Sequence, residues 1–243
     1  MVSNGISSSQ DALMLLAEIA KENKPLELTN DYKGVTITQE ARIISFGDDF
    51  VELQTPYYQF MCIALQGHTH IRSPGLPCLV SANLKNLEVT SGKIQLHDFA
   101  CLSRSAEVRL NTRVSPQEPT RALLHLRNAD LSVSVVDLSA QGIGIWAYKI
   151  QEKGIKLAIN TPINLDYYLP RQSKKFTLKG KVAYLKPVKS SLMVRLGVCI
   201  QPNTEQETKL QEYIRQRHQD IFRELEQAFN RSVEPFRLAN IFF

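Results

Sequence analysis

Apolar positions along the chain follow two different periods. Leu13, Leu16, Ile19 and Ala20 recur at helical spacing behind Ser8-Ser9-Gln10-Asp11, a segment that resembles a capping box, and Pro25 closes it. The pattern predicts a helix over 9–22. From 26 to 102 the spacing changes to short runs: Val35-Thr36-Ile37, Ala41-Arg42-Ile43-Ile44, Phe50-Val51-Glu52-Leu53, 59–65 and 84–89. Turn signals such as Gly47-Asp48-Asp49 and Ser73-Pro74-Gly75 separate them. These runs predict an all-β module of the small-barrel kind, with 59–65 as one of its strands.

Between about 101 and 120 the pattern loosens. Pro116, Pro119 and mixed polarity mark a connector. Strand periods resume at 121–126, 131–136, 142–148, 163–169, 175–185 and 192–200. In the second of these, Leu131, Val133 and Val135 face one way and Ser132 and Ser134 the other, so one face is buried. Six such strands suit a closed antiparallel barrel, which leaves no exposed edge. The last long segment, 205–229, places Leu210, Ile214, Ile221, Leu225 and Phe229 on one stripe, with Arg215, Arg217 and Arg223 expected elsewhere on the helix. The expected fold is mainly β: two small antiparallel β-barrel domains in tandem, 1–103 and 104–243, with an N-terminal helix and a C-terminal amphipathic helix.

Composition changes this picture little. Across 243 residues, 43 % are apolar and 22 % charged, which excludes collagen-like, low-complexity and largely disordered chains. No apolar run approaches the roughly 18 residues of a membrane-spanning helix. The N-terminus lacks the basic region and small-residue cleavage site of a secretory signal, so a cytoplasmic location is expected. Cys62, Cys78, Cys101 and Cys199 are widely spaced, and the expectation is neither a disulfide framework nor a cysteine metal site. Charge is more informative. Residues 1–103 hold 7 Lys/Arg against 11 Asp/Glu, a net of −4, whereas 104–243 hold 22 against 13, a net of +9. The second half is suited to an anionic partner, or presents a solvated basic face.

Chemistry concentrates in two stretches. One is Arg109-Leu110-Asn111-Thr112-Arg113, with Arg104 upstream; the other is Asp137-Leu138-Ser139-Ala140-Gln141-Gly142, between two predicted strands. One strand, one turn and a second strand fit between Arg113 and Asp137, so the connector arginines could lie beside the Asp137 turn. Guanidinium forks pair with phosphates, bond the O6 and N7 edge of guanine and stack on base faces. A carboxylate and a hydroxyl can bond a base's amino and imino groups, and Gly142 permits positive φ and close ligand approach. The set makes a pocket for a guanine nucleotide. Read singly, two arginines four apart and an Asx-type turn are ordinary surface and turn features.

Arg-x-x-x-Arg, then Asp-x-Ser-x-x-Gly, then Arg195-Leu196-Gly197-Val198-Cys199-Ile200 and a C-terminal helix resemble the PilZ domain, a bacterial receptor for cyclic di-GMP. The preceding β-rich half is similar in size and position to the N-terminal domain of YcgR-like flagellar brake proteins. The resemblance implies that Arg109 and Arg113 wrap around the nucleotide while Asp137, Ser139 and Gly142 line its guanine side. A second register uses Arg104 with Arg109. Glu107 and Val108 stand where family members often carry consecutive arginines. It further implies that ligand capture at the interdomain connector rearranges the two domains and regulates motility or surface behaviour through a protein partner, such as flagellar motor or other surface machinery. Recruitment to a membrane-associated complex belongs to the same implication.

The alternative is a degenerate PilZ-like scaffold that does not bind the nucleotide. Nucleic-acid binding is not expected, because the predicted strands lack interleaved surface aromatics. His68-Thr69-His70 puts two imidazoles on one strand face, but no third metal ligand is evident. His97-Asp98 and His125 come with no nucleophile motif, and no P-loop or G-x-G-x-x-G is present. No catalysis and no cofactor are expected.

Overall fold

The computed structural model describes residues 8–102, 112–126, 129–148, 157–169, 175–188 and 192–239. Arg104 and Arg109 lie outside them, as do the tail residues Ile241, Phe242 and Phe243. The order of elements is α1 (Ser9–Lys21), β1 (Leu26–Tyr32), β2 (Val35–Phe46), β3 (Val51–Gln54), α2 (Tyr57–Gln66), β4 (His68–Arg72), β5 (Leu79–Glu88) and β6 (Lys93–Leu102). Then follow β7 (Thr120–Leu126), β8 (Ala129–Leu138), β9 (Gly142–Tyr148), β10 (Pro162–Tyr168), β11 (Lys175–Pro187), β12 (Met193–Gln201) and α3 (Thr204–Ala239). The strands close two six-stranded antiparallel barrels, β1-β2-β3-β6-β5-β4 and β10-β11-β12-β9-β8-β7. The expected mainly-β, two-barrel fold with helices toward both ends is what the structure holds. Contacts divide the chain into two units, one of 1–32, 36–108 and 221–243, the other of 33–35 and 109–220.

In the first unit the capping box at α1 forms as its residues suggest. The Asp11 N–H donates to Ser8 Oγ at 3.2 Å, and the Ser8 N–H donates to Asp11 Oδ2 at 3.0 Å. Two otherwise orphan donors of the first turn are satisfied, and Ala12, Leu13, Leu16 and Ile19 are buried. The segment 59–65, expected as a strand, lies instead in α2. Its unbroken apolar run carries no alternation, and such a run fits a buried helix as well as a buried strand. Gly67 decides the matter: at φ +74 it takes the left-handed conformation that ends a helix, and its N–H donates to the Ile63 carbonyl at 2.8 Å. Helix α2 buries Gln59, Phe60, Met61, Cys62 and Ile63, and contacts β1, β4 and β5.

The cysteines also depart from expectation, because Cys78 and Cys101 form a disulfide. Their spacing of 23 in sequence conceals the register of β5 on β6, which pairs Val80 with Cys101 and Leu79 with Leu102. That register brings their Cα atoms to 5.9 Å, within the range a disulfide spans. Cys62 and Cys199 are free.

In the second unit the alternating strands send Leu131, Val133, Val135, Ile143, Ile145, Ala147, Leu196, Val198 and Ile200 into one core. Leu210 of α3 joins it. Asn203 starts α3 with its own capping box: the Gln206 N–H donates to Asn203 Oδ1 at 2.9 Å and the Asn203 N–H to Gln206 Oε1 at 3.0 Å. Arg217, expected away from the apolar stripe, is 2 % exposed and falls on it after Leu210 and Ile214. Its long stem suits burial, and its Nε–H donates to the Ser115 carbonyl at 2.9 Å. Among the described residues no helix is long and apolar enough to cross a membrane.

Candidate functional site

The connector enters the second unit through a single bridge. Val114 and Leu138 exchange backbone hydrogen bonds, both at 2.9 Å, and both side chains are fully buried. This bridge sets Arg113 beside Asp137, whose Oδ1 is 3.7 Å from Arg113 Nη1. Residues 24 apart in sequence therefore meet across the interposed hairpin β7–β8, as the order of motifs suggested.

A β-bulge aims the carboxylate. Along β8 the inward positions are Leu131, Val133 and Val135, so strict alternation would turn Asp137 into the core. The register shifts between Val135 and Asp137, and past the shift Asp137 pairs with Gly144 while Leu138 turns inward. Asp137 thereby reaches the outer face of β9 and β12, where Arg195 also ion-pairs with it. Arg195 can lie there because Gly144 has no side chain. A Cβ at that position would stand 2.3 Å from Arg195 Nη2 and 2.8 Å from Asp137 Oδ1. The Arg195 guanidinium also sits 5.3 Å from the centre of the Trp146 ring, an attractive cation–π distance. Its Nη1 is buried with no hydrogen-bond partner among the described residues.

The Asp-x-Ser-x-x-Gly turn is closed by its own serine. The Ser139 N–H and Oγ–H both donate to the Gly142 carbonyl, at 2.8 and 3.1 Å, and Ser139 is 3 % exposed. Its hydroxyl thus shapes the turn. Gly142 does not take the positive φ expected of it. It begins β9, pairs with Cys199, and leaves room where a Cβ would meet Ser139 Oγ at 3.3 Å. The Gln141 carbonyl accepts the Ile200 N–H at 3.0 Å and ties the turn to β12.

Of the predicted residues, Arg113, Asp137, Ser139 and Gly142 converge on this corner of the barrel. Arg195 and Trp146 belong to the same cluster and were not singled out by their motifs. A signal for both existed in the alternation: with Ile143, Ile145 and Ala147 inward, Gly144 and Trp146 face out, and with Val194, Leu196 and Val198 inward so do Arg195 and Gly197. Two outward glycines paired across β9 and β12 mark where a long side chain can lie flat.

His68 and His70 share β4, their ring centroids 5.9 Å apart. Among the described residues no three His, Cys, Asp or Glu side chains are placed to hold a metal. Elsewhere on the barrel, His125 Nδ1 is 2.8 Å from Asp130 and its Nε2 is 3.1 Å from Asp166. With both ring nitrogens facing carboxylates, bonding to Asp166 first and Asp130 second, its pKa is raised.

Comparison with known proteins gives one family match: residues 104–216 match the family model of the PilZ domain. Among solved structures, YcgR of Escherichia coli in complex with c-di-GMP is 16 % identical with a TM-score of 0.41, covering 90 % of this chain and 95 % of that one. The Bacillus subtilis inhibitor of motility (MotI/DgrA) is 10 % identical with a TM-score of 0.39, covering 81 % and 97 %. The Klebsiella pneumoniae MrkH complex with c-di-GMP is 10 % identical with a TM-score of 0.40, covering 91 % and 97 %. A search of the curated proteins gives no match.

Proposed function

We propose that the chain, whose residues 104–216 match the family model of the PilZ domain, is a receptor for cyclic di-GMP whose ligand is held by Arg109 and Arg113 against the turn from Asp137 to Gly142. The observation that carries this reading is the convergence of Arg113 and Arg195 on one partly buried carboxylate, beside a turn that is already closed.

Each group has a distinct task. Arg113 keeps more than a third of its side chain exposed and has donors to spare for a phosphate oxygen or a guanine O6 and N7. Asp137 orients Arg113 and accepts from guanine N–H groups. Arg195, held flat by Gly144 and backed by Trp146, fixes the Asp137 carboxylate from the side away from Arg113. Ser139 acts through the turn it closes, and Gly142 allows the ligand close approach. In this reading Arg104 extends the basic run that meets the ligand. Nucleotide binding changes the surface that the chain presents, and that change is read by a protein partner that controls motility or surface behaviour. The chain's work is recognition rather than catalysis.

Titration calorimetry of the protein with cyclic di-GMP, beside GTP, tests the reading. Selective binding at micromolar or tighter affinity is expected, falling about 100-fold or more in Arg113→Ala, because a charged ligand group loses its bidentate partner. Heat-free titration of the wild type, with no change in melting temperature, would leave the scaffold alternative standing, with Asp137 serving Arg195 alone.

A further inference from the structure

Beside the Asp137 turn the second unit holds a cavity of about 290 Å³, lined by Thr112, Ala140, Gln211, Ile214, Arg215 and His218. Thr112 precedes Arg113 on the connector, and Ala140 is the midpoint of the turn. The other four recur at i, i+3, i+4 and i+7, so they form a single stripe along α3. That stripe borders the buried one of Leu210, Ile214 and Arg217, and Ile214 belongs to both. Arg217 fixes the arrangement by donating to the Ser115 carbonyl two residues beyond Arg113. The helix is therefore anchored to the same connector and faces the same turn that carry the proposed ligand residues.

We propose that α3 is the third wall of the nucleotide site, and that Arg215, with Gln211 beside it, reads the edge of one guanine seated in this cavity. The proposal rests on the cyclic di-GMP reading and extends it to residues outside both motifs. The volume admits one purine base and is too small for the whole dinucleotide, which fits a subsite next to the phosphate-binding arginines. Its lining suits a base more than a phosphate. Ile214 and Ala140 supply apolar surface for a ring face, while Gln211 and Arg215 are exposed polar groups at its rim. Arg215 makes no hydrogen bond or ion pair with any described residue, so its guanidinium fork is free to donate to O6 and N7. Adenine carries an amino donor at position 6 instead of a carbonyl, so a fork placed there selects guanine. An arginine bound only to phosphate would not discriminate.

The test titrates wild type, Arg215→Ala and Arg215→Lys with cyclic di-GMP and with cyclic di-AMP. Because Arg215 is exposed, both variants are expected to fold, and their melting temperatures serve as the check. Arg215→Ala should bind cyclic di-GMP about tenfold or more weakly, with cyclic di-AMP affinity unchanged, so that selectivity falls by the same factor. Arg215→Lys should fail to restore it, since an ammonium lacks the fork. Unchanged cyclic di-GMP affinity in Arg215→Ala, with a wild type that binds, overturns the helix proposal and leaves the receptor reading intact. Equal weakening for both nucleotides, or full rescue by lysine, overturns guanine recognition in favour of simple charge attraction. A wild type that binds neither nucleotide removes the receptor reading and this one with it.

Discussion

Each barrel contains a polar cluster, and the two are completed in different ways. In the first, Asn30, Gln59 and Thr69 are 1 %, 0 % and 0 % exposed. Asn30 Nδ2–H donates to the His68 carbonyl at 2.8 Å and to Gln66 Oε1 at 2.6 Å, while Thr69 Oγ–H donates to Asn30 Oδ1 at 2.7 Å. The Gln59 amide lies 2.6 Å from the same oxygen. These groups are neutral and bonded mainly to one another. In the second barrel, Asp137 is shared by two arginines, one more than a third exposed and the other with an unpaired N–H. A closed neutral network specifies a core, because an alternative packing would strand its donors. An open, charged one retains capacity for a ligand, since Arg113 stays more than a third exposed while the Asp137–Arg195 pair beneath it is mostly buried.

The comparison is broken most severely by Asn30→Leu. The substitution takes the Asn30 partner from the Thr69 hydroxyl, the Gln59 amide, Gln66 Oε1 and the His68 carbonyl at once, the first two of them buried, for a loss of about 3 kcal/mol. Urea unfolding followed by circular dichroism measures it. Cyclic di-GMP affinity under native conditions should not move, and a parallel drop in affinity would show that the two clusters are not separate in role. Gly144→Ala probes the other side with a smaller effect. The new methyl group displaces the flexible end of Arg195 and the Asp137 carboxylate instead of backbone, so the barrel should fold with a loss of about 1 kcal/mol. Ligand affinity should fall about tenfold as Arg195 leaves both Asp137 and Trp146. Trp146 is the only tryptophan, so its fluorescence reports the displaced guanidinium directly; unchanged emission with unchanged affinity would remove Arg195 from the site.

Much of the second barrel is legible in the sequence, because its strands alternate cleanly and each inward residue repeats every second position. Alternation and turn chemistry are local signals, and α1 with its Ser8 and Asp11 box is read the same way. Features that depend on distant partners are hidden. The Cys78–Cys101 pair exists only through the register of β5 on β6. Helix α2 reads as a strand in the sequence because a continuous apolar run has no period, and Gly67 is what distinguishes the two. At the site, the motifs disclosed Arg113 and Asp137, and the bridge between Val114 and Leu138 explains why they meet. Arg195 escaped because it sits 58 residues beyond Asp137 and owes its place to a bulge on one strand and a missing Cβ on another. Arg217 escaped because a charged residue on an apolar stripe is counted as surface until its carbonyl partner is known.

The smallest expected effect concerns a third charged group that lies on the same barrel yet is closed like the amide network. Asp166 accepts from Lys175 Nζ at 2.8 Å and from Thr177 Oγ at 2.7 Å, and it also faces His125. The Lys175 and Thr177 bonds hold its carboxyl well below the usual carboxylate range, and its burial opposes them. His125, between Asp166 and Asp130, takes up its proton more readily folded than unfolded. Its contribution to stability is therefore complete below its ordinary value of 6.5 and is lost as pH rises through the higher folded value. Asp166 acts with the opposite sign, its contribution being present above 3.8 and lost as pH falls toward its lowered value. Urea midpoints read from Trp146 fluorescence should thus decline modestly between pH 6 and 8 and again below pH 4, the upper decline being small because His125 is open to solvent. His125→Gln should flatten the upper limb and leave the acid limb in place. A wild type with no decline between pH 6 and 8 would mean that the imidazole sandwiched by two carboxylates brings no proton-linked stability to the barrel.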